Sequence, residues 1–115
     1  SLAKETLKTF KENNDCLGLE RCYALLPPSL HRVPMLQFLH AYALANLGSL
    51  AEAERILLQD GGLQIPDLRE GECSLSELYV YIQCEKARRA DRILDPAAVP
   101  VPPVLDFRMN QRRSQ

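Results

Sequence analysis

From Met35 to Leu47 the chain runs through thirteen residues without one Asp, Glu, Lys or Arg. Met35, Leu36, Phe38, Leu39, Tyr42, Leu44 and Leu47 are interleaved with Ala41, Ala43 and Ala45. Pro34 stands before this stretch and Gly48 after it. The run is a helix, apolar nearly all round, and a helix of that kind is packed on more than one side. It is too short to span a bilayer, which takes ~20 consecutive apolar residues. The rest of the chain must therefore supply its neighbours.

Those neighbours read as further helices. Over 2–13, Ala3, Leu7 and Phe10 form one stripe, with Lys4, Glu5, Lys8 and Glu12 elsewhere. Asn13-Asn14-Asp15 is a turn signal, and Asp15 can cap a second helix over 15–26. Leu19, Cys22, Tyr23 and Leu26 share one of its faces, and Pro27-Pro28 stops it. Residues 29–34 then link it to the apolar helix, 34–47, which Gly48 ends in the left-handed region. Ser49-Leu50-Ala51-Glu52 has the form of a capping box opening a helix over 50–59, with Leu50, Ala53, Ile56 and Leu57 inward and Asp60-Gly61-Gly62 closing it. Residues 63–73 form a connection without periodicity. Ser74-Leu75-Ser76-Glu77 is a second capping box, opening a helix over 74–94 that Asp95-Pro96 terminates. No convincing strand interrupts this order, so the expected fold class is all-α.

Composition narrows the functional classes. At 115 residues there is room for one domain, which buries roughly two-thirds of its unfolded surface without metal or disulfide staples. The formal net charge is −1, so no global field draws in nucleic acid or an anionic membrane. Cys16, Cys22, Cys73 and Cys84 make none of the close pairs that zinc and redox sites use. They are expected to be reduced thiols of a cytoplasmic protein. A Cys16–Cys84 or Cys22–Cys84 bridge stays compatible with the sequence.

The tail, 96–115, has two characters. Four prolines between Pro96 and Pro103 favour an extended polyproline conformation. Val99, Val101, Val104, Leu105, Phe107 and Met109 are more apolar than a solvated linker requires. The tail is therefore expected to dock on a helical surface through Val101, Leu105 and Phe107, its own or a neighbour's.

Antiparallel helix pairs with short turns are the unit of a helical solenoid. The stretch from Phe38 to Leu57 resembles a tetratricopeptide repeat: Ala41, Gly48 and Ala53 fall where the two helices must touch, and Leu44 and Leu57 where the family prefers large apolar groups. His40, Gln37 and Asp60 depart from its pattern, standing where Leu, an aromatic and a small residue are usual. The pair 2–13 and 15–26 resembles a weaker preceding repeat with Tyr23 at the large apolar position, and the helix from Ser74 a terminal cap. The resemblance implies a tetratricopeptide-like helical-hairpin solenoid over 1–95, followed by the extended Pro-rich tail. It further implies a non-catalytic protein-interaction or scaffolding module. The partner would be the upstream part of its own polypeptide, another chain, or a second copy in a homo-oligomer.

The second half carries a narrower likeness. Pro66 to Glu72, Ser74 to Leu78 and Leu105-Asp106-Phe107-Arg108-Met109 resemble the C-terminal end of large bacterial proteins. In those, a β-sandwich domain of unassigned, carbohydrate-related function precedes a tetratricopeptide array. That likeness implies an alternative: an accessory domain of a carbohydrate-processing enzyme, with Arg69, Glu70 and Glu72 reaching into an active site carried elsewhere. It supplies no catalytic residues for these positions.

The family's concave groove is lined by the first helix of each pair, which here offers Met35, Phe38, Tyr42, Ala45 and Asn46. Met35, Phe38, Tyr42 and Asn46 are the expected partner contacts. This helix lacks the Lys or Arg with which such repeats clamp a C-terminal carboxylate, so an apolar helix or extended segment is the better fit. His31 and His40 lie nine apart across Pro34 and do not share a helical face, so no metal site is expected, and His40 reads as a packing residue. Lys86, Arg88, Arg89 and Arg92, with Arg108, Arg112 and Arg113 in the tail, are explained by the dipole at a helix C-terminus rather than by nucleic-acid binding. No cofactor is implied.

Overall fold

In the computed structural model, which describes residues 2–65 and 74–105, regular structure is helical throughout. Five α-helices follow one another: α1 (Leu2–Glu12), α2 (Cys16–Ala24), α3 (Pro34–Asn46), α4 (Leu50–Leu58) and α5 (Leu75–Arg89). Short 3₁₀ turns cover Pro28–Arg32, Gln59–Gly61, Pro96–Ala98 and Pro103–Leu105. No strand occurs among the described residues. Two compact units divide the chain, Ser1–Ile56 and Leu57–Gln115.

In the first unit α1, α2 and α3 pack mutually. Seven residues of α3 are buried: Met35, Leu36, Phe38, Leu39, Ala41, Ala43 and Ala45. The charge-free helix thus has neighbours on two flanks, and its alanines let their backbones come close. Pro34 occupies its first turn, where the missing N–H costs nothing. Leu7 of α1 and Leu19 of α2 are both 0% exposed. Burying each contributes on the order of 1.5–3 kcal/mol.

The turns are closed by the backbone. At the end of α1 the Asp15 N–H donates to Phe10 O (2.9 Å) and the Asn14 N–H to Lys11 O (3.0 Å), with Asn14 left-handed at φ 56°. At the end of α3 the Ser49 N–H donates to Leu44 O (2.8 Å) and the Gly48 N–H to Ala45 O (3.2 Å), with Gly48 at φ 95°. Both are Schellman ends, and in both the residue that closes one helix opens the next. Asp15 is the clearer opener: its carboxylate accepts from the Gly18 N–H at 2.9 Å. Asp15→Ala should lower stability by about 0.5–2 kcal/mol, read as a drop in urea midpoint at constant slope. No change in midpoint would mean that the cap contributes nothing.

Several boundaries differ from the sequence expectation. The helix expected over 15–26 stops at Ala24, because Leu26 precedes a proline and is barred from the α region. The last N–H groups, of Leu25 and Leu26, turn back onto Cys22 O and Tyr23 O. The linker at 29–34 is largely the 3₁₀ turn Pro28–Arg32. The box at Ser49 is not reciprocal: its N–H is already bonded to Leu44 O, and the Glu52 carboxylate is held by Arg55 at 2.6 and 3.0 Å. At Ser74 the hydroxyl does cap, accepting from the Glu77 N–H at 3.1 Å.

In the second unit, α5 ends at Arg89, five residues before the expected 94. Arg92 N–H donates to Ala87 O and Asp91 N–H to Arg88 O, with Asp91 at φ 57°. This is again a Schellman end, and no apolar burial rewards continuing the helix, since Ile93 is fully exposed. The tail is not simply extended. Its 3₁₀ turns Pro96–Ala98 and Pro103–Leu105 lie against α5, the first capped by Asp95, whose carboxylate accepts from the Ala97 N–H at 3.0 Å. Leu105 is 1% exposed, while Val101 and Val104 are half-buried. Over 96–105 the chain therefore rests on α5. Phe107 lies outside the described residues.

Candidate functional site

The expected groove residues separate into two pairs. Met35 and Phe38 are 9% and 2% exposed, so they hold the interior and offer little to a partner. Tyr42 is half-buried and Asn46 exposed, one turn further along the same face of α3. The Asn46 side-chain amide donates to Tyr42 O at 2.9 Å, which orients it along the helix.

The neighbouring α1 brings a lysine to this face of α3. Lys4, Lys8 and Lys11 recur at helical spacing, all half-buried, and Lys11 Nζ stands 5.0 Å from the centroid of the Tyr42 ring. An ammonium over a tyrosine face at this distance is a cation–π contact. The signal was present in the sequence: moving thirty-four positions back from Phe38, Tyr42 and Ala45 gives Lys4, Lys8 and Lys11.

A second cluster joins residues that sequence reasoning kept apart. The Tyr23 ring of α2 is stacked with His31 of the 3₁₀ turn at 4.5 Å and 13°, and with His40 of α3 at 4.0 Å and 14°. Two imidazoles cannot share one face of a phenol ring at these separations, so Tyr23 lies between them. His31 Nε2 lies 2.9 Å from Tyr23 O, and because a carbonyl only accepts, this nitrogen carries the proton. The Tyr23 hydroxyl donates back to His31 O at 3.3 Å, and Gln37 Nε2 donates to the same oxygen at 2.9 Å. Burial pushes the Tyr23 phenol above its ordinary range. It also holds His40 below the usual imidazole value, with Glu20 and Glu52 pulling the other way and His31 and Arg55 adding to the depression.

Elsewhere the chemistry is plain. Cys16, Cys22 and Cys84 are free thiols, which removes both bridges the sequence left open. Burial, then the Asp15 carboxylate, raises Cys16 above the ordinary thiol range, the opposite of an activated nucleophile. Glu52–Arg55 and Glu85–Arg88 are exposed ion pairs within single helices at 2.6 Å, each carboxyl lowered by its arginine. Among the described residues no group of three His, Cys, Asp or Glu could hold a metal ion, and no helix is long and apolar enough to cross a membrane. Arg69, Glu70, Glu72 and Cys73 lie outside the described residues.

No family model matches the chain, nor does any curated protein or solved structure. What the described residues define is an all-α protein.

Proposed function

We propose that the chain is a tetratricopeptide-like repeat module that binds another polypeptide and carries no catalysis of its own. The observation that carries the reading is a recurrence. Asn14 and Gly48, the left-handed ends of α1 and α3, are thirty-four positions apart, as are the openers Asp15 and Ser49. So are the buried pairs Leu7 and Ala41, Leu19 and Ala53, and Tyr23 and Leu57. That spacing is the tetratricopeptide period of ~34 residues. The mutual packing of α1, α2 and α3 agrees with a second hairpin laid against a first.

The outward positions of α1 are more polar than those of α3. Where α3 buries Leu36, Leu39 and Ala43, the matching positions of α1 are Leu2, Glu5 and Thr9, all exposed. The binding face is then the side where Lys11, Tyr42 and Asn46 meet.

Site-specific photo-crosslinking in the organism of origin tests this reading. A benzophenone amino acid at Tyr42 or Asn46 should capture a protein partner, and a copy of this chain in the adduct would make the partner itself. The same group at Leu25, 87% exposed just past the end of α2, should capture none. Adducts of equal yield at Leu25, or none at Tyr42 and Asn46, would sink the assignment.

A further inference from the structure

We propose that the His31–Tyr23–His40 stack is a proton-sensitive latch that holds α2 against α3 while His40 is neutral and loosens when His40 takes a proton. The proposal does not depend on the repeat assignment. It rests on where three rings meet: one from α2, one from the 3₁₀ turn Pro28–Arg32, one from α3. These are the successive elements that carry the chain from the first pair of helices into α3. Hydrogen bonds tie the turn to both sides, through Tyr23 O and hydroxyl on α2 and through Gln37 on α3. The junction is thus built around one phenol ring, 7% exposed, with an imidazole on each face.

The charges acting on His40 come from every element around it. Glu20 of α2 and Glu52 of α4 favour its cation, while Arg55 of α4, His31 and burial oppose it. Glu52 is largely committed to Arg55, and burial outweighs the pull of both carboxylates. The depressed folded-state value fixes the sign. The stack's contribution to stability is complete above the unfolded imidazole value of ~6.5 and is lost as pH falls through the lower folded value. Carboxylates remain ionised over the upper part of that window, which isolates the histidine effect.

The test is a titration of the isotope-labelled chain by NMR from about pH 8 to about pH 5. The ring protons of His40 and Tyr23 should move together. Over the same window amide protection should fall in α2 and the first turns of α3, after correction for intrinsic exchange, and stay constant in α5. His40→Gln, which packs a neutral polar group in the same place, should remove the step at unchanged far-UV circular dichroism. A step that persists in His40→Gln overturns the proposal. So does a His40 titration that leaves the Tyr23 ring and α2 protection unmoved, a result read on the unmodified chain even if the variant does not fold.

Discussion

Phe38→Ala is expected to lower the stability of the first unit by about 3–5 kcal/mol, the largest single loss available in α3. Phe38 is 2% exposed in a helix with no charged residue, and Leu36, Leu39 and Ala41 around it are at most 1% exposed. Deleting a ring from such a site removes its transfer energy and leaves a cavity that neighbours fixed in two flanking helices fill only in part. Domains of this size are stable by about 5–15 kcal/mol, so the variant should be partly unfolded at moderate temperature. Tyr42→Ala, half-buried and one turn along, should cost clearly less. Urea unfolding followed by circular dichroism separates the two residues. A Phe38→Ala loss below about 1 kcal/mol would mean that the ring is not packed and belongs to a partner surface instead.

The contrast between Phe38 and Tyr42 marks what was legible in the sequence. The charge-free run fixes that α3 is surrounded, because no other arrangement hides so many apolar side chains. It does not say which residues face a neighbour within the chain, since a buried flank and an apolar groove have the same composition. Local chemistry was equally readable where one residue decides it. Asp15 and Ser74 cap as expected, and Gly48 takes the left-handed turn.

Where two local solutions compete, the sequence is silent about the winner. Glu52 can satisfy Ser49 or pair with Arg55, and it pairs with Arg55 because the Ser49 N–H is already spent on Leu44. Asp91 carries no signal comparable to a glycine, yet it accepts the left-handed turn that ends α5 at Arg89. The ring stack was illegible for a different reason. His31 and His40 are unrelated by helical spacing and become neighbours of one ring only through the fold of α2 onto α3. The lysines of α1 give no groove signal within their own helix, and their alignment with Phe38, Tyr42 and Ala45 shows only at an offset of thirty-four positions.

In the second unit the decisive residue is Gly62, and Gly62→Ala should destabilise far more than Gly61→Ala. Both glycines have positive φ, 84° at Gly61 and 114° at Gly62, and alanine in such a conformation costs on the order of 1–3 kcal/mol by strain alone. At Gly61 a new methyl meets nothing within 4 Å, so strain is the whole effect. At Gly62 it would stand 2.5 Å from Val104 Cγ1 and 3.1 Å from Cγ2, inside van der Waals contact. Val104 cannot turn away easily: its χ1 is stiff, and it sits between Pro103 and the buried Leu105 in a 3₁₀ turn held against α5. Overpacking of this kind adds about 1–3 kcal/mol to the strain. Val104→Ala in the Gly62→Ala background should recover the overlap and not the strain, so the double-mutant cycle should show a coupling of about 1–3 kcal/mol. Additive losses, with no coupling, would mean that the tail does not rest on Gly62, and its docking within the chain would have to be abandoned.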